Sequence, residues 1–159
     1  MQTAAVTPEV RDAFDRLYRE HGDRLWRSLL LSTGRPEVAS DATAEAFAQA
    51  IRRGDQVRDP LAWIWRAAFK IAAGELAAER RTAELVDEPI DPTLEPVVDL
   101  LAALRRLTPH QRASITLHHY AGYPYREIAR ILGSSTSAVG VHIHRAKTLL
   151  RAALEDRDG

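Results

Sequence analysis

Residues Tyr125 to Ala146 read YREIARILGSSTSAVGVHIHRA, and the division of that stretch decides the fold. Ile128, Ala129 and Leu132 recur at helical spacing, Gly133 supplies a tight turn, and Ser135 is placed to cap a second helix. Val139, Ile143, Ala146, Leu150 and Ala153 hold one face of that second helix, while His142, His144, Arg145, Lys147 and Arg151 lie off it. Two short helices joined by a glycine turn, the second with a basic outer face, form the pattern of a helix-turn-helix. In that motif the first turns of the second helix meet base edges in the major groove, and basic residues hold phosphates. Ser135, Thr136, Ser137 and Val141 are therefore the base-edge candidates, with His142, Arg145 and Lys147 assigned to phosphate. An ordinary helical hairpin with a solvated basic face fits the periodicity equally well, so charge has to separate the two readings.

The net charge of zero conceals an uneven distribution. Residues 1–81 are nearly balanced, with 13 basic and 12 acidic side chains. Between Thr82 and Asp99 there are six carboxylates (Glu84, Asp87, Glu88, Asp91, Glu95, Asp99) and no basic residue. From Leu100 to Arg151 the balance reverses, with 8 basic residues against Glu127 alone. A basic module behind an acidic connector points to a polyanionic partner and favours the DNA-binding reading.

Upstream, helical periodicity continues and strand alternation is absent, so the predicted class is all-α. Thr7 and Pro8 give an N-cap followed by a first-turn proline, and an apolar stripe runs from Val10 to Leu30, with Gly22 as a point of bending or division. A second helix runs from about Glu37 to Arg53, with Val38, Ala42, Ala46, Phe47, Ala50 and Ile51 on its apolar side. After a loop from Gly54 to Asp59, Asp59 and Pro60 repeat the cap-then-proline signal, and Leu61, Ile64, Trp65, Ala68, Ala72 and Leu76 face inward from a third helix. Pro89, Pro92 and Pro96 fall within the acidic stretch, a composition suited to an extended tether. The organisation predicted is thus two small helical domains, residues 8–81 and 100–154, joined by a flexible acidic linker over 82–99. In the second, Leu100 to Leu107 forms a short helix, and Thr108, Pro109 and Gln111 spell a capping box opening a helix to about Ala121.

With 159 residues the chain has room for one domain or two small ones. A 45% hydrophobic and 28% charged composition belongs to a folded globular chain, and no apolar run approaches the roughly 20 residues that a membrane-spanning helix needs. Residues Met1 to Val10 lack a basic segment followed by an apolar one, so neither secretion nor membrane insertion is expected. Zero Cys excludes thiol chemistry and is compatible with a reducing cytoplasm. His118 with His119, and His142 with His144, have the wrong helical spacing for a shared metal, and no cofactor is expected. Asp41 and Glu45 share a helix face without a catalytic constellation, and the eight glycines are too dispersed for a phosphate loop. An enzyme is thereby disfavoured. Trp26, Trp63 and Trp65 are read first as core anchors; Trp63, which lies off the inward stripe, could also stack on unpaired bases.

The order of these parts resembles a bacterial RNA polymerase sigma factor of the extracytoplasmic-function group. Phe14 to Tyr18 with His21 is similar to that family's opening helix, and Glu37 to Phe47 (EVASDATAEAF) to its core-binding helix, with Asp41, Glu45 and Phe47 in register. Ala62 to Arg66 (AWIWR) resembles the family's AWLYR. LTPHQR (Leu107 to Arg112), EIA (Glu127 to Ala129), Gly133, Val139 and HRA (His144 to Ala146) with Leu150 and Arg151 resemble its helix-turn-helix signature.

The resemblance implies polymerase core and promoter DNA as partners, an anti-sigma factor as a further partner, and a cytoplasmic, nucleoid-associated location. It makes Asp41, Glu45 and Phe47 core contacts, and places Trp63 and Lys70 on the helix that reads and opens the minus-ten element. The second module would read the minus-thirty-five element. The family commonly carries Arg-Asn where this chain has Phe69 and Lys70, an Asp where it has Gly74, and Lys-Ser-Arg where it has Gly140, Val141 and His142. These departures leave two other readings open: a stand-alone helix-turn-helix regulator, or a degenerate module that occupies polymerase without reading promoters.

Overall fold

The computed structural model describes residues 6–82 and 95–158, and among them every regular element is helical. The order is α1 (Pro8–Thr33), α2 (Pro36–Arg53), α3 (Pro60–Thr82), α4 (Glu95–Arg105), α5 (Pro109–Ile115), α6 (Tyr125–Leu132) and α7 (Thr136–Asp158). A single 3-10 turn, Gly54–Gln56, links α2 to α3. Residues 83–94 of the expected linker lie outside the described residues. Its far end differs from the expectation: α4 begins at Glu95 instead of near Leu100, because Pro96 occupies a first turn that needs no proline N–H.

The local signals explain the helix starts. The Thr7 hydroxyl accepts the Val10 N–H, the Asp59 carboxylate accepts that of Ala62, and Ser135 Oγ accepts that of Ala138 at 3.1 Å. At Thr108 the capping box is complete, with Gln111 N–H on Thr108 Oγ1 and Thr108 N–H on Gln111 Oε1. α1 passes through Gly22 without dividing, since the buried glycine takes the ring of Tyr18 against it. The helix expected to reach Ala121 instead ends its α portion at Ile115 and widens into a π turn over Thr116–Tyr120, in which Ala121 N–H reaches Thr116 O at 3.1 Å.

The helices from the two halves of the chain do not stand apart. One apolar core runs from Phe14, Leu25 and Leu29 of α1 through Ala42, Ala46 and Phe47 of α2 and Ile64, Trp65 and Phe69 of α3 to Leu117, Ile128, Val139 and Ile143. Trp65 meets Tyr123 edge-on at 5.1 Å between ring centroids, joining α3 to the segment before α6. Burial pushes the Tyr123 phenol up to about 12, with Asp59 and Glu127 adding to the shift. A smaller cluster of Leu104, Leu107, Ile115 and Ala146 seats α4 and α5 on α7, with Leu31 of α1 and Leu150 packed against it.

Arg112 sits where these parts converge and is only 8% exposed. Its guanidinium donates to Ser32 O at 2.9 Å, Leu104 O at 2.9 Å and Leu107 O at 3.1 Å. Ser32 and Leu104 lie in the last turns of α1 and α4, where backbone carbonyls have no partner within their own helix. Replacing Arg112 by Ala removes the donor to the Ser32 and Leu107 carbonyls and leaves Leu104 O with the Leu107 N–H alone, a loss of about 2 to 5 kcal/mol. Chemical denaturation of Arg112→Ala should show that loss, and Arg112→Lys, which cannot span three acceptors, should recover only part of it.

Candidate nucleic-acid interface

α6 and α7 meet across Gly133, whose φ of 64° is the left-handed conformation that closes α6, with Ser134 N–H on Ala129 O at 2.8 Å. Val139, Ile143 and Ala146 turn the inner side of α7 into the core. On the opposite side Ser137, Val141, His144, Arg145 and Thr148 are exposed, with Thr136 at the start, and their spacing places them on one stripe. Ser135 is exposed as well, but its hydroxyl is used as the cap. Lys147 is half-buried on the flank, and its charge helps to hold His119 below the ordinary imidazole range, burial being the larger cause.

His142 departs from its expected place on phosphate. Its ring stacks on His110 of α5 with centroids 5.5 Å apart and planes 19° apart, and Nδ1 is enclosed without a hydrogen-bond partner. The position flanks the buried Ile143, so α5 covers it. His144 is the exposed histidine of the stripe, three positions after Val141. Gly140 lies beside the Tyr125 ring, where an added Cβ would make ordinary contact at 3.6 Å. Tyr125 in turn packs edge-on against His118, whose Nδ1–H donates to Tyr123 O at 2.9 Å.

In the first half of the chain, Asp41 and Glu45 are exposed on α2. Hydrogen bonds from Gln49 and Arg52 hold the Glu45 carboxyl below the usual range, and the Arg52 contact is 3.1 Å. Phe47, read as a neighbouring contact residue, is 5% exposed: the apolar side of α2 carries it into the core. Its edge-on partner Tyr18 is the exposed aromatic there, with centroids 5.1 Å apart. At the start of α3, Trp63 is half-buried with the Arg53 guanidinium 5.2 Å from its ring centroid. Trp63 lines an open cleft with Arg53, Arg58 and Arg66, walled on the far side by Glu127 and Arg130 of α6. Lys70 is exposed further along α3. Trp65, by contrast, is fully core.

A helix-turn-helix, an acidic face on α2 and a cationic cleft between α3 and α6, among described residues whose every regular element is helical, define a DNA-binding transcription protein. Residues 98–150 match the family described as sigma-70, region 4. The chain is 30% identical to the extracytoplasmic-function sigma factor SigL of Mycobacterium tuberculosis over 88% of each protein, and 32% identical to SigM of the same organism over 91% of this chain and 78% of that one. It is 33% identical to BldN of Streptomyces coelicolor over 91% of its own length, spanning 61% of BldN. In fold it is similar to RpoE from the complex with the anti-sigma factor NepR of Bartonella quintana, with a TM-score of 0.80, 18% identity and coverage of 91% and 98%. CnrH in complex with the cytosolic domain of CnrY gives a TM-score of 0.73 at 24% identity, covering 94% and 91%. The chain belongs to the extracytoplasmic-function RNA polymerase sigma factors.

Burial, then the neighbouring His110 and Arg145, hold His142 below the ordinary imidazole value of 6.5. The unfolded chain therefore binds a proton at this site before the folded one does. The resulting stability is fully present above pH 6.5 and is lost as the pH falls from there through the depressed folded value. Thermal melts between about pH 7.5 and pH 5 should show a decline that is shallower in His142→Gln than in the parent chain.

Proposed function

We propose that this chain is a promoter-specificity subunit that joins the RNA polymerase core and directs it to a small set of promoters. The observation that carries the reading is the exposed stripe of α7, within the segment that matches sigma region 4, in a chain similar to SigL along nearly its whole length. In this reading residues 8–81 bind core and read the minus-ten element, residues 100–154 read the minus-thirty-five element, and 82–99 connect them. Ser137, Val141 and Thr136 meet base edges, while Arg145 and Lys147, with His144 in the place first given to His142, hold phosphates.

Asp41 and Glu45 supply the charged part of the core contact, with Phe47 as the buried support of Tyr18. Trp63 takes unpaired bases and Lys70 their phosphates, which requires Arg53 to leave the indole face and α6 to move from the cleft. Capturing unstacked bases offsets the few kcal/mol lost on unpairing them, so the chain needs no bond chemistry of its own. It works in the cytoplasm at the nucleoid, and an anti-sigma factor is a further partner, as NepR is for RpoE in their complex.

Run-off transcription with purified core tests the reading: new transcripts that depend on the chain are expected. Promoter binding without core would indicate a stand-alone regulator, and core binding without transcripts a degenerate module. Reversing both Asp41 and Glu45 to Arg should abolish capture of core in a pull-down. The melting temperature should stay nearly unchanged, because exposed carboxylates contribute little to stability. Undiminished capture would remove these two residues from the interface.

A further inference from the structure

Val141 is 48% exposed on α7, although the same helix buries Val139 and Ile143 almost completely. It stands midway along the outer stripe, between Ser137 one turn before it and His144 and Arg145 one turn after. Its neighbour Gly140 has no side chain and Ser137 a short one, so the isopropyl group projects beyond the surrounding surface. Nothing in the packing of α6 or α7 uses it.

The side chains that read purines through paired hydrogen bonds are missing from this part of the helix. From Ser134 to His144 there is no Arg, Lys, Asn, Gln, Asp or Glu. Ser135 has committed its hydroxyl to the Ala138 N–H, and His142 is stacked on His110. What remains at the groove-facing end is two hydroxyls, at Thr136 and Ser137, and one branched apolar group. The major-groove edges of the four base pairs offer a single apolar feature, the C5 methyl of thymine.

We propose that Val141 is a specificity-determining residue that packs on the methyl group of one thymine in the upstream promoter element. The inference rests on the promoter-reading proposal above and adds to it the chemical feature that is read.

The upstream element is first selected from a randomised duplex with the full chain bound to polymerase core. Each thymine in it is then replaced by deoxyuridine, which keeps base pairing and removes only the methyl. One replacement should weaken binding of the parent complex about fourfold, the factor for burying one methyl-sized group. In Val141→Ala, which keeps an exposed position helical and therefore folded, the same replacement should have no effect. Arg145→Ala should weaken the thymine and deoxyuridine duplexes equally, as a phosphate contact does. If no deoxyuridine replacement matters, or if one matters equally in the parent and in Val141→Ala, Val141 does not read a methyl group and its exposed surface serves a protein contact instead. If no element is selected although core is bound, the promoter-reading proposal itself falls and takes this one with it. The two failures are thus distinguishable.

Discussion

Arg112 solves a problem that helix ends create. The final carbonyls of α1 and α4 point out of their helices; here that of Ser32, and that of Leu104, which the Leu107 N–H already meets, are brought together away from water. A guanidinium spreads its donors over three nitrogens in a rigid fork, and here each nitrogen takes one of these carbonyls, that of Leu107 included. Its positive charge also meets the negative ends of two helix dipoles. The capping box at Thr108 fixes the first turn of α5 in the same region, so α5 is held from its start and from its middle. Because α5 carries His110 against His142 and Ile115 against the Ala146 cluster, this side chain adds a polar tie between α1 and α7 to the apolar core that they share.

That chain of constraint explains which parts of the structure were legible in the sequence. Helix starts depend on a side chain and a backbone N–H only three residues apart, so Thr7, Asp59, Thr108 and Ser135 could be read directly. The inward stripes of α2, α3 and α7 were equally legible, because periodicity alone sets them. Phe47 shows the two kinds of argument in conflict. Periodicity placed it on the apolar side of α2, the family resemblance placed it at the polymerase contact, and packing followed periodicity.

The features that escaped depend on partners distant in sequence. No local rule assigns His142 to α5, because the stacking ring, His110, is contributed from 32 positions earlier in the chain. The contact of Trp65 with Tyr123, and of Arg112 with Ser32, likewise joins segments whose proximity only the folded chain reveals. The π turn at Thr116–Tyr120 arises in the same way. Its wider turn sets His118 Nδ1–H on the Tyr123 carbonyl and lets Leu117 O take the Tyr123 N–H, satisfying backbone that an α-helix continued to Ala121 would have left differently paired.

The distribution of charge along α7 bears on how such a protein divides affinity from selectivity. Its cations, Arg145, Lys147, Arg151 and Arg157, all lie in the middle and later turns, while the first two turns carry none. In the proposed reading, phosphate attraction comes from one part of the helix and sequence discrimination from the other, with small polar and apolar groups as the readers. Contacts of that kind are each worth a fold-change of a few units, far below what a free regulator needs to find its site among competing sequences. A helix so equipped is suited to act when another body supplies most of the binding energy and presents it to DNA at a set position. In the proposed reading that body is the polymerase core, held through the acidic face of α2, which shares no residue with the stripe on α7.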